Sequence, residues 1–231
     1  MTFTNKISSY SFQERVLAAI NHIRRHNRMA PKYHIEVCKN TSGFSIDYGI
    51  IEGNNNILFI KVGQNGSIYG YDNKYLKIAN NINKKYGYTV ICASNPYDGK
   101  TNLLEFDMNF VSEYCNKFKS YNIYYMGVSN GATIGANWGY LYPQIINMLL
   151  INPPIFVNWH KIKYGLGLLK TTSATIIIGE ADPSFKFAGM INLVNNDKLQ
   201  LVTLKNIDHN FSDKLLEFIA LPEQYLFKSK N

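Results

Sequence analysis

The strongest constraint on the fold of this chain is a regular alternation of short apolar runs with stretches of helical pattern. The apolar runs are Ile57–Val62, Thr89–Ala93, Ile123–Gly127, Ile145–Ile151, Ala174–Ile178 and Leu199–Leu204. The amphipathic stretches predict helices over about 72–85, 102–119, 130–142, 184–195 and 211–220. Nearly continuous apolar strands that alternate with helices are typical of a mostly parallel sheet with helices on both faces. The sequence therefore predicts an α/β fold.

Further elements precede this unit. Residues 11–28 have the pattern of an amphipathic N-terminal helix, and 33–39 and 44–51 alternate like two strands joined by turn residues, which predicts a hairpin. The 231 residues, 46% of them hydrophobic, fit a single domain over 1–231 with one core. No apolar run is long enough to form a transmembrane segment, and no signal peptide is visible, so we expect a cytoplasmic protein.

The formal net charge of +8 is compatible with an anionic surface partner. The lysines are scattered, often beside asparagines, and no nucleic-acid motif accompanies them, so solvated faces explain the charge equally well. Cys38, Cys92 and Cys115 have no metal-ligand spacing and are expected to be free thiols. His22 and His26 have no carboxylate or cysteine nearby, so we predict no metal site.

Candidate catalytic residues follow the apolar runs, because ligands of such sheets bind beyond the carboxyl ends of the strands. The third run leads into Gly127-Val128-Ser129-Asn130-Gly131. Small residues two positions before and after a serine allow a sharp strand-to-helix turn that exposes its hydroxyl. The serine in this segment is therefore the candidate nucleophile.

An acid and a base follow the fifth and sixth runs. Asp182 comes after the fifth run, and His209 is the only histidine that follows it. Asp182 could instead cap the next helix, and Asp208 is a rival acid, although as the neighbour of the histidine its side chain should point elsewhere. Asn152, after the fourth run, cannot serve as an acid.

The segments GVSNG, GEADPSF and IDHNF make the chain resemble serine hydrolases of the α/β-hydrolase family over about residues 33–220. Among relatives it most resembles small-lid esterases and dienelactone-hydrolase-like proteins. The resemblance implies an α/β-hydrolase fold in which Ser129 is the nucleophile, His209 the general base and Asp182 its orienting acid.

The resemblance also implies an oxyanion hole. Its donors would be the backbone N–H of Asn130 and one N–H from the loop after the first parallel strand, for which Gln64 is the best candidate. This sequence departs from the family pattern there: the family usually has His-Gly, and this chain has Val62-Gly63. The family pattern therefore does not mark the second donor in this sequence.

Only residues 155–173 are available for a lid between the fourth and fifth runs. Phe156, Trp159 and Leu166 make this segment apolar, so we predict a minimal lid over an acyl pocket formed by these three residues. The alternative is an ordinary helix that packs on the core.

These features favour a serine hydrolase that cleaves a small-molecule carboxylic ester or thioester through an acyl-enzyme, with no metal or organic cofactor. An acyltransferase or a peptidase would use the same residues. The same fold can also serve as a catalytically silent binding or assembly module. No sequence feature indicates the oligomeric state.

Overall fold

The computed structural model describes residues 32–39, 43, 45–96 and 103–227. The predicted helix over 11–28, with His22 and His26, lies outside the described residues. So does most of the predicted turn between the first two strands.

The described residues form one eight-stranded sheet. Its strands are β1 His34–Lys39, β2 Ser45–Ile51, β3 Asn54–Lys61, β4 Tyr88–Ala93, β5 Asn122–Val128, β6 Ile145–Ile151, β7 Ser173–Gly179 and β8 Leu199–Leu204. They are arranged in the order β1-β2-β4-β3-β5-β6-β7-β8. The β1–β2 and β2–β4 pairs are antiparallel and the other pairs are parallel, which confirms the hairpin strands and the mostly parallel sheet.

Helices follow most of the parallel strands. They are α1 Lys74–Tyr86, α2 Leu103–Cys115, α3 Asn130–Trp138, α4 Trp159–Gly167 and α5 Leu215–Tyr225, with 3-10 segments at Tyr71–Asn73, Gly139–Leu141 and Phe185–Leu193. The last helix begins later than predicted, because Phe211 and Asp213 have φ of 58° and 57°, which a right-handed helix excludes. The helix predicted over 184–195 is a 3-10 segment.

Each face of the sheet carries its own apolar core. On one face, α1 contributes Tyr75, Ile78, Ala79 and Ile82, and α5 contributes Phe218 and Leu221. On the other face lie α2, α3 and α4, with buried side chains that include Leu104, Val111, Ala136 and Ile162. This arrangement confirms helices on both faces and leaves the carboxyl ends of β3, β5, β7 and β8 together along one edge.

The segment 155–173, predicted to be a minimal lid, contains helix α4, which packs closely on α3. A Cβ atom on Gly165 would lie 2.2 Å from the carbonyl oxygen of Ala136, so the two helix backbones are nearly in contact. Ile162 and Leu166 are each 1% exposed within the core. The assignment of Leu166 to an acyl pocket is therefore wrong for this structure, because its side chain fills the space between helix and sheet.

Among the described residues, no helix has the length and apolar character needed to span a membrane. The same part of the chain has no cluster of three or more histidine, cysteine or acidic side chains placed to hold a metal ion. Cys92 and Cys115 are buried free thiols and Cys38 is partly exposed, as expected from the sequence. Burial raises the pKa of the Cys115 thiol to about 11.

Candidate active site

Ser129 lies in a sharp turn between β5 and α3. Its backbone has φ 52° and ψ −118°, outside the regions that a residue with a Cβ atom normally adopts. The turn is held by hydrogen bonds from the Ser129 N–H to the carbonyl of Ile151, 2.8 Å, and from the Thr133 N–H to the carbonyl of Ser129, 3.1 Å. Strain of this kind persists only where the surroundings enforce it, and it is concentrated at functional sites.

The glycines around this serine are sterically required, as the sequence predicts. A Cβ atom on Gly127 would lie 2.7 Å from the backbone of Ala132, and one on Gly131 would lie 2.2 Å from the carbonyl oxygen of Lys61. Any side chain at either position would push the start of α3 away from the sheet. The turn therefore depends on both glycines.

His209 lies between the serine and a buried carboxylate. Its Nε2 is 2.9 Å from the Ser129 Oγ, and its Nδ1 is 2.5 Å from the Asp182 Oδ2. An ionised carboxylate can only accept hydrogen bonds, so Nδ1 carries the ring proton and Nε2 is free to accept the serine hydroxyl proton. The structure thus brings together three side chains that are far apart in the sequence.

The two oxygens of Asp182 have different partners. Oδ2 faces His209, whereas Oδ1 accepts a hydrogen bond of 2.6 Å from the Ser184 N–H. The bond to Ser184 closes a local turn and is not a helix cap, because the cap residue of the following 3-10 segment is Ser184 and its N-terminus has no side-chain cap bond. Asp208 points elsewhere, since its Oδ1 accepts the N–H groups of Asn210 and Ser212, and hydrogen bonds, first of all from the Ser212 side chain, lower its pKa.

Asn152 is a site residue whose structural role the sequence did not reveal. It is fully buried at the end of β6, with φ of 46°. Its side-chain amide donates to the carbonyls of Asp208 and His209, both at 3.2 Å, and its Oδ1 accepts the Gly179 N–H at 2.9 Å. It thus connects the histidine loop to the strand that leads to Asp182.

The loop after β3 lies directly against the serine. A Cβ atom on Gly63 would be 3.4 Å from the Ser129 Cβ and 3.9 Å from its Oγ. In this loop the N–H groups of Asn65 and Gly66 are bonded to backbone carbonyls, at 2.7 and 2.9 Å. Within the described chain, the backbone N–H of Gln64 has no such partner, which leaves it available as a donor beside the serine.

A buried ion pair between the end of β3 and helix α2 lies at the start of this loop. Lys61, the last residue of β3, and Asp107 of α2 are both fully buried, and the Lys61 Nζ is 2.8 Å from the Asp107 Oδ2. Lys61 also donates to the carbonyl of Ser94 at 2.8 Å, and the Tyr48 hydroxyl donates to the Asp107 Oδ1 at 2.9 Å. Burial raises the pKa of the Asp107 carboxyl, and the lysine opposes this effect.

Aromatic side chains lie in the segments that follow β6 and β7. Phe156 is 54% exposed, and its ring centroid is 5.3 Å from that of Phe187. Phe185 is also exposed, whereas Trp159 is half-buried against the core. The sequence singled out Phe156 and Trp159 but not the two phenylalanines after β7, because a residue pattern does not show which loops meet in space.

A groove of about 670 Å³ adjoins the histidine loop. It is lined by Tyr71 and its neighbours on one side and by the chain from Asn210 to Phe218 on the other. Tyr71 and Leu216 are among the most exposed apolar side chains, at 82% and 81%. We call this space the His-side groove, since its wall begins at the residue after His209.

Comparisons with known proteins agree with this architecture. No protein-family model and no curated protein sequence matches the chain. Est1E from Butyrivibrio proteoclasticus superposes with a TM-score of 0.63 at 13% identity, covering 82% of this chain and 96% of Est1E. The Pyrococcus furiosus esterase Pf2001 gives 0.61 at 14% identity, with 84% and 93% covered.

A third similar structure is XC6422 from Xanthomonas campestris, described as an α/β serine hydrolase without a lid. It superposes with a TM-score of 0.60 at 16% identity and covers 88% of this chain and all of its own. Sequence identity is low throughout, and the likeness lies in the three-dimensional arrangement. The chain therefore has the α/β-hydrolase fold.

Proposed function

We propose that this protein is a serine hydrolase that cleaves a carboxylic ester or thioester through an acyl-enzyme. The observation that carries the proposal is the chain of short contacts from Ser129 through His209 to Asp182, with the serine in a strained turn. Such a turn and such contacts are what an activated serine requires. The esterases among the similar structures support the same reaction class.

In this mechanism the Ser129 Oγ attacks the substrate carbonyl carbon while the His209 Nε2 takes the hydroxyl proton. Asp182 holds the imidazole in orientation and stabilises its positive charge. His209 then gives its proton to the leaving oxygen or sulfur, and the acyl group stays on the serine. Water, deprotonated by the same nitrogen, attacks the acyl carbon. The bond to the Ser129 Oγ then breaks, His209 returns the proton to that oxygen, and the acid is released.

The negative charge that develops on the carbonyl oxygen needs donors that are already in place. The Asn130 N–H at the start of α3 and the Gln64 N–H on the loop after β3 suit this role. Gly63, which precedes Gln64, lies against the Ser129 side chain, Asn130 directly follows the serine, and neither N–H has a backbone partner within the described chain. Together they would form the oxyanion hole, where one donor contributes about 2.7–4 kcal/mol.

The acyl group is best placed against the aromatic side chains of Phe156 and Phe187. Phe156 lies on the loop after β6 and Phe187 in the 3-10 segment after β7, and the Phe156 ring is exposed. The exposed stretch that precedes α4 is the part of residues 155–173 that can act as a minimal lid, with Trp159 at its base. This surface suits an acyl chain of a few carbons.

The leaving group is best placed on the opposite side, towards the His-side groove. It must come within hydrogen-bond distance of the His209 Nε2 in order to receive a proton. The groove wall begins at the next residue, and Tyr71 and Leu216 offer apolar surface there. We therefore expect tolerance for a bulky leaving group.

A fluorophosphonate probe tests the proposal directly, because it labels only an activated serine. We expect one label per chain, mapped to Ser129 by peptide mass spectrometry, and complete loss of labelling and of p-nitrophenyl butyrate hydrolysis in Ser129→Ala. Ser67→Ala is the matched control, since it removes an exposed serine from the loop after β3 and should label normally. A wild-type protein that is folded but neither labels nor hydrolyses esters would instead be a silent scaffold.

A further inference from the structure

Asn95 connects the two sides of the proposed oxyanion hole. It lies just after β4, is 1% exposed, and was not singled out by the sequence. Its side-chain Nδ2 donates to the carbonyl of Val62 at 3.0 Å and to the side-chain Oδ1 of Asn130 at 3.0 Å. The carbonyl of Val62 can only accept, so the atom that faces it must be the amide nitrogen.

The backbone of Asn95 is bonded to the same loop. Its carbonyl accepts the Asn65 N–H at 2.7 Å, and its N–H donates to the carbonyl of Gly66 at 3.4 Å. With the side-chain bond to Val62, three bonds from this residue hold the loop on both sides of Gln64. The fourth bond holds the side chain of Asn130.

From this arrangement we propose, resting on the hydrolase function above, that Asn95 is a positioning residue for the oxyanion hole. The two donors belong to different elements, a loop and the first residue of a helix, and no backbone ladder connects them directly. A buried amide with two N–H groups sets the distance between them. It does not touch the substrate.

This role predicts a defined kinetic signature. Donors that are already oriented lower the energy of the tetrahedral intermediate without reorganisation, whereas the ground-state carbonyl depends on them less. Loss of the bridge should therefore reduce kcat and leave KM almost unchanged. The pH midpoint of kcat/KM should stay the same, since the contacts between His209 and Asp182 are not altered.

Two substitutions separate the loss of the bridging hydrogen bonds from the effects of added charge and lost volume. Asn95→Asp keeps the volume but loses both N–H donors, whereas Asn95→Ala leaves a small gap but adds no charge. A kcat loss shared by both cannot come from charge or from the gap alone. The matched controls are Asn83→Asp and Asn83→Ala, because the Asn83 amide also donates to two carbonyls, those of Glu52 and Tyr88, at the end of α1 and away from the serine.

The assay uses p-nitrophenyl butyrate for kcat and KM, and a butyl trifluoromethyl ketone as a tetrahedral-intermediate analogue. We expect kcat to fall about 10- to 100-fold in both Asn95 variants, less than the loss of a whole donor, and the inhibition constant of the ketone to rise by a similar factor. The KM should change by less than about threefold. The Asn83 variants should lower the melting temperature but change none of these constants.

Hydrogen exchange followed by mass spectrometry supplies a readout that does not depend on activity. Peptides covering 62–66 should exchange faster in both Asn95 variants than in the wild type, and peptides covering the His209 loop should not. If Ser129→Ala is inactive but folded Asn95 variants keep the wild-type kcat and ketone affinity, this inference is wrong and the proposed function stands. If the wild type shows no serine reactivity, the proposed hydrolase function is wrong. Unchanged exchange at 62–66 in the Asn95 variants would show that Asn95 does not hold this loop.

Discussion

The role of Asn152 leads to a prediction that can be worked out from its three hydrogen bonds. Asn152→Ala removes the donors to the carbonyls of Asp208 and His209 and the acceptor for the Gly179 N–H. Each bond contributes about 1 kcal/mol, and alanine with a positive φ costs about 1 kcal/mol more, so the loss is about 4 kcal/mol. For a chain of this length that lowers the melting temperature by about 10 °C.

The isosteric change Asn152→Asp tests the histidine loop more selectively. It keeps an acceptor for Gly179 but places an oxygen opposite the carbonyl oxygens of Asp208 and His209, which repel it. Displacement of the imidazole by about 1 Å is enough to cost roughly 10²-fold in rate, so we expect kcat/KM to fall about 10- to 100-fold. Circular dichroism melts and ester hydrolysis measure the two effects separately.

Asn196 provides the matched control for this prediction. Its amide donates to the carbonyls of Leu166 and Leu169, and its Oδ1 accepts the Lys198 N–H, so it has the same number of donors and acceptors in use. It lies just before β8, at the amino ends of the parallel strands and away from the proposed site. Asn196→Asp should reduce stability without affecting kcat/KM. A folded Asn152→Asp protein with kcat/KM within about twofold of the wild type would show that the asparagine does not position the histidine.

The remaining predictions concern the acid, the buried ion pair and the acyl group. Asp182→Asn should lower kcat by about 10⁴-fold, because the histidine loses its correct tautomer, whereas Asp208→Asn should lower kcat much less. A larger loss of kcat in Asp208→Asn than in Asp182→Asn would refute the assignment of the acid. Asp107→Leu should destabilise the fold by about 3–5 kcal/mol by leaving Lys61 buried without a counter-charge, and adding Lys61→Met should restore most of the loss in denaturant melts. Across p-nitrophenyl esters, kcat/KM should rise about fourfold per acyl carbon until the space beside Phe156 is full, with a peak at short to medium chains. A steady rise through long fatty chains would contradict this, since it needs an extended groove.

Much of the fold could be predicted because it depends on local and periodic signals. Buried parallel strands are apolar almost throughout, so each of the six predicted runs corresponds to a strand of the sheet. Helix ends were predicted less well, because they depend on single backbone conformations. The start of α5 is delayed by positive φ at Phe211 and Asp213, which nothing in their residue types requires.

The three residues of the proposed triad could be singled out from the sequence because each has a recognisable local pattern and a defined place in the topology. Ser129 is marked by its glycines, and Asp182 and His209 by their positions after β7 and β8. Leu166 was misassigned because an apolar segment gives no indication of whether a given side chain faces a pocket or the core. In the structure α4 packs on α3, and the Leu166 side chain is buried in the core.

The structural roles of Asn95 and Asn152 could not be predicted from the sequence, and the reason is physical. Asparagine is common in loops, and its role depends on which backbone groups it meets, here those of residues distant in the sequence. Both residues are buried at strand ends, and a buried amide is retained at low cost only where its hydrogen bonds are made. Each makes them to the backbone of a loop that carries one half of the proposed chemistry: Asn95 to the loop of Gln64, and Asn152 to the loop of His209. The proposed donor on the loop after β3 would therefore be held in place without the His-Gly pattern, because bonds that fix this loop come from Asn95 at the neighbouring strand end.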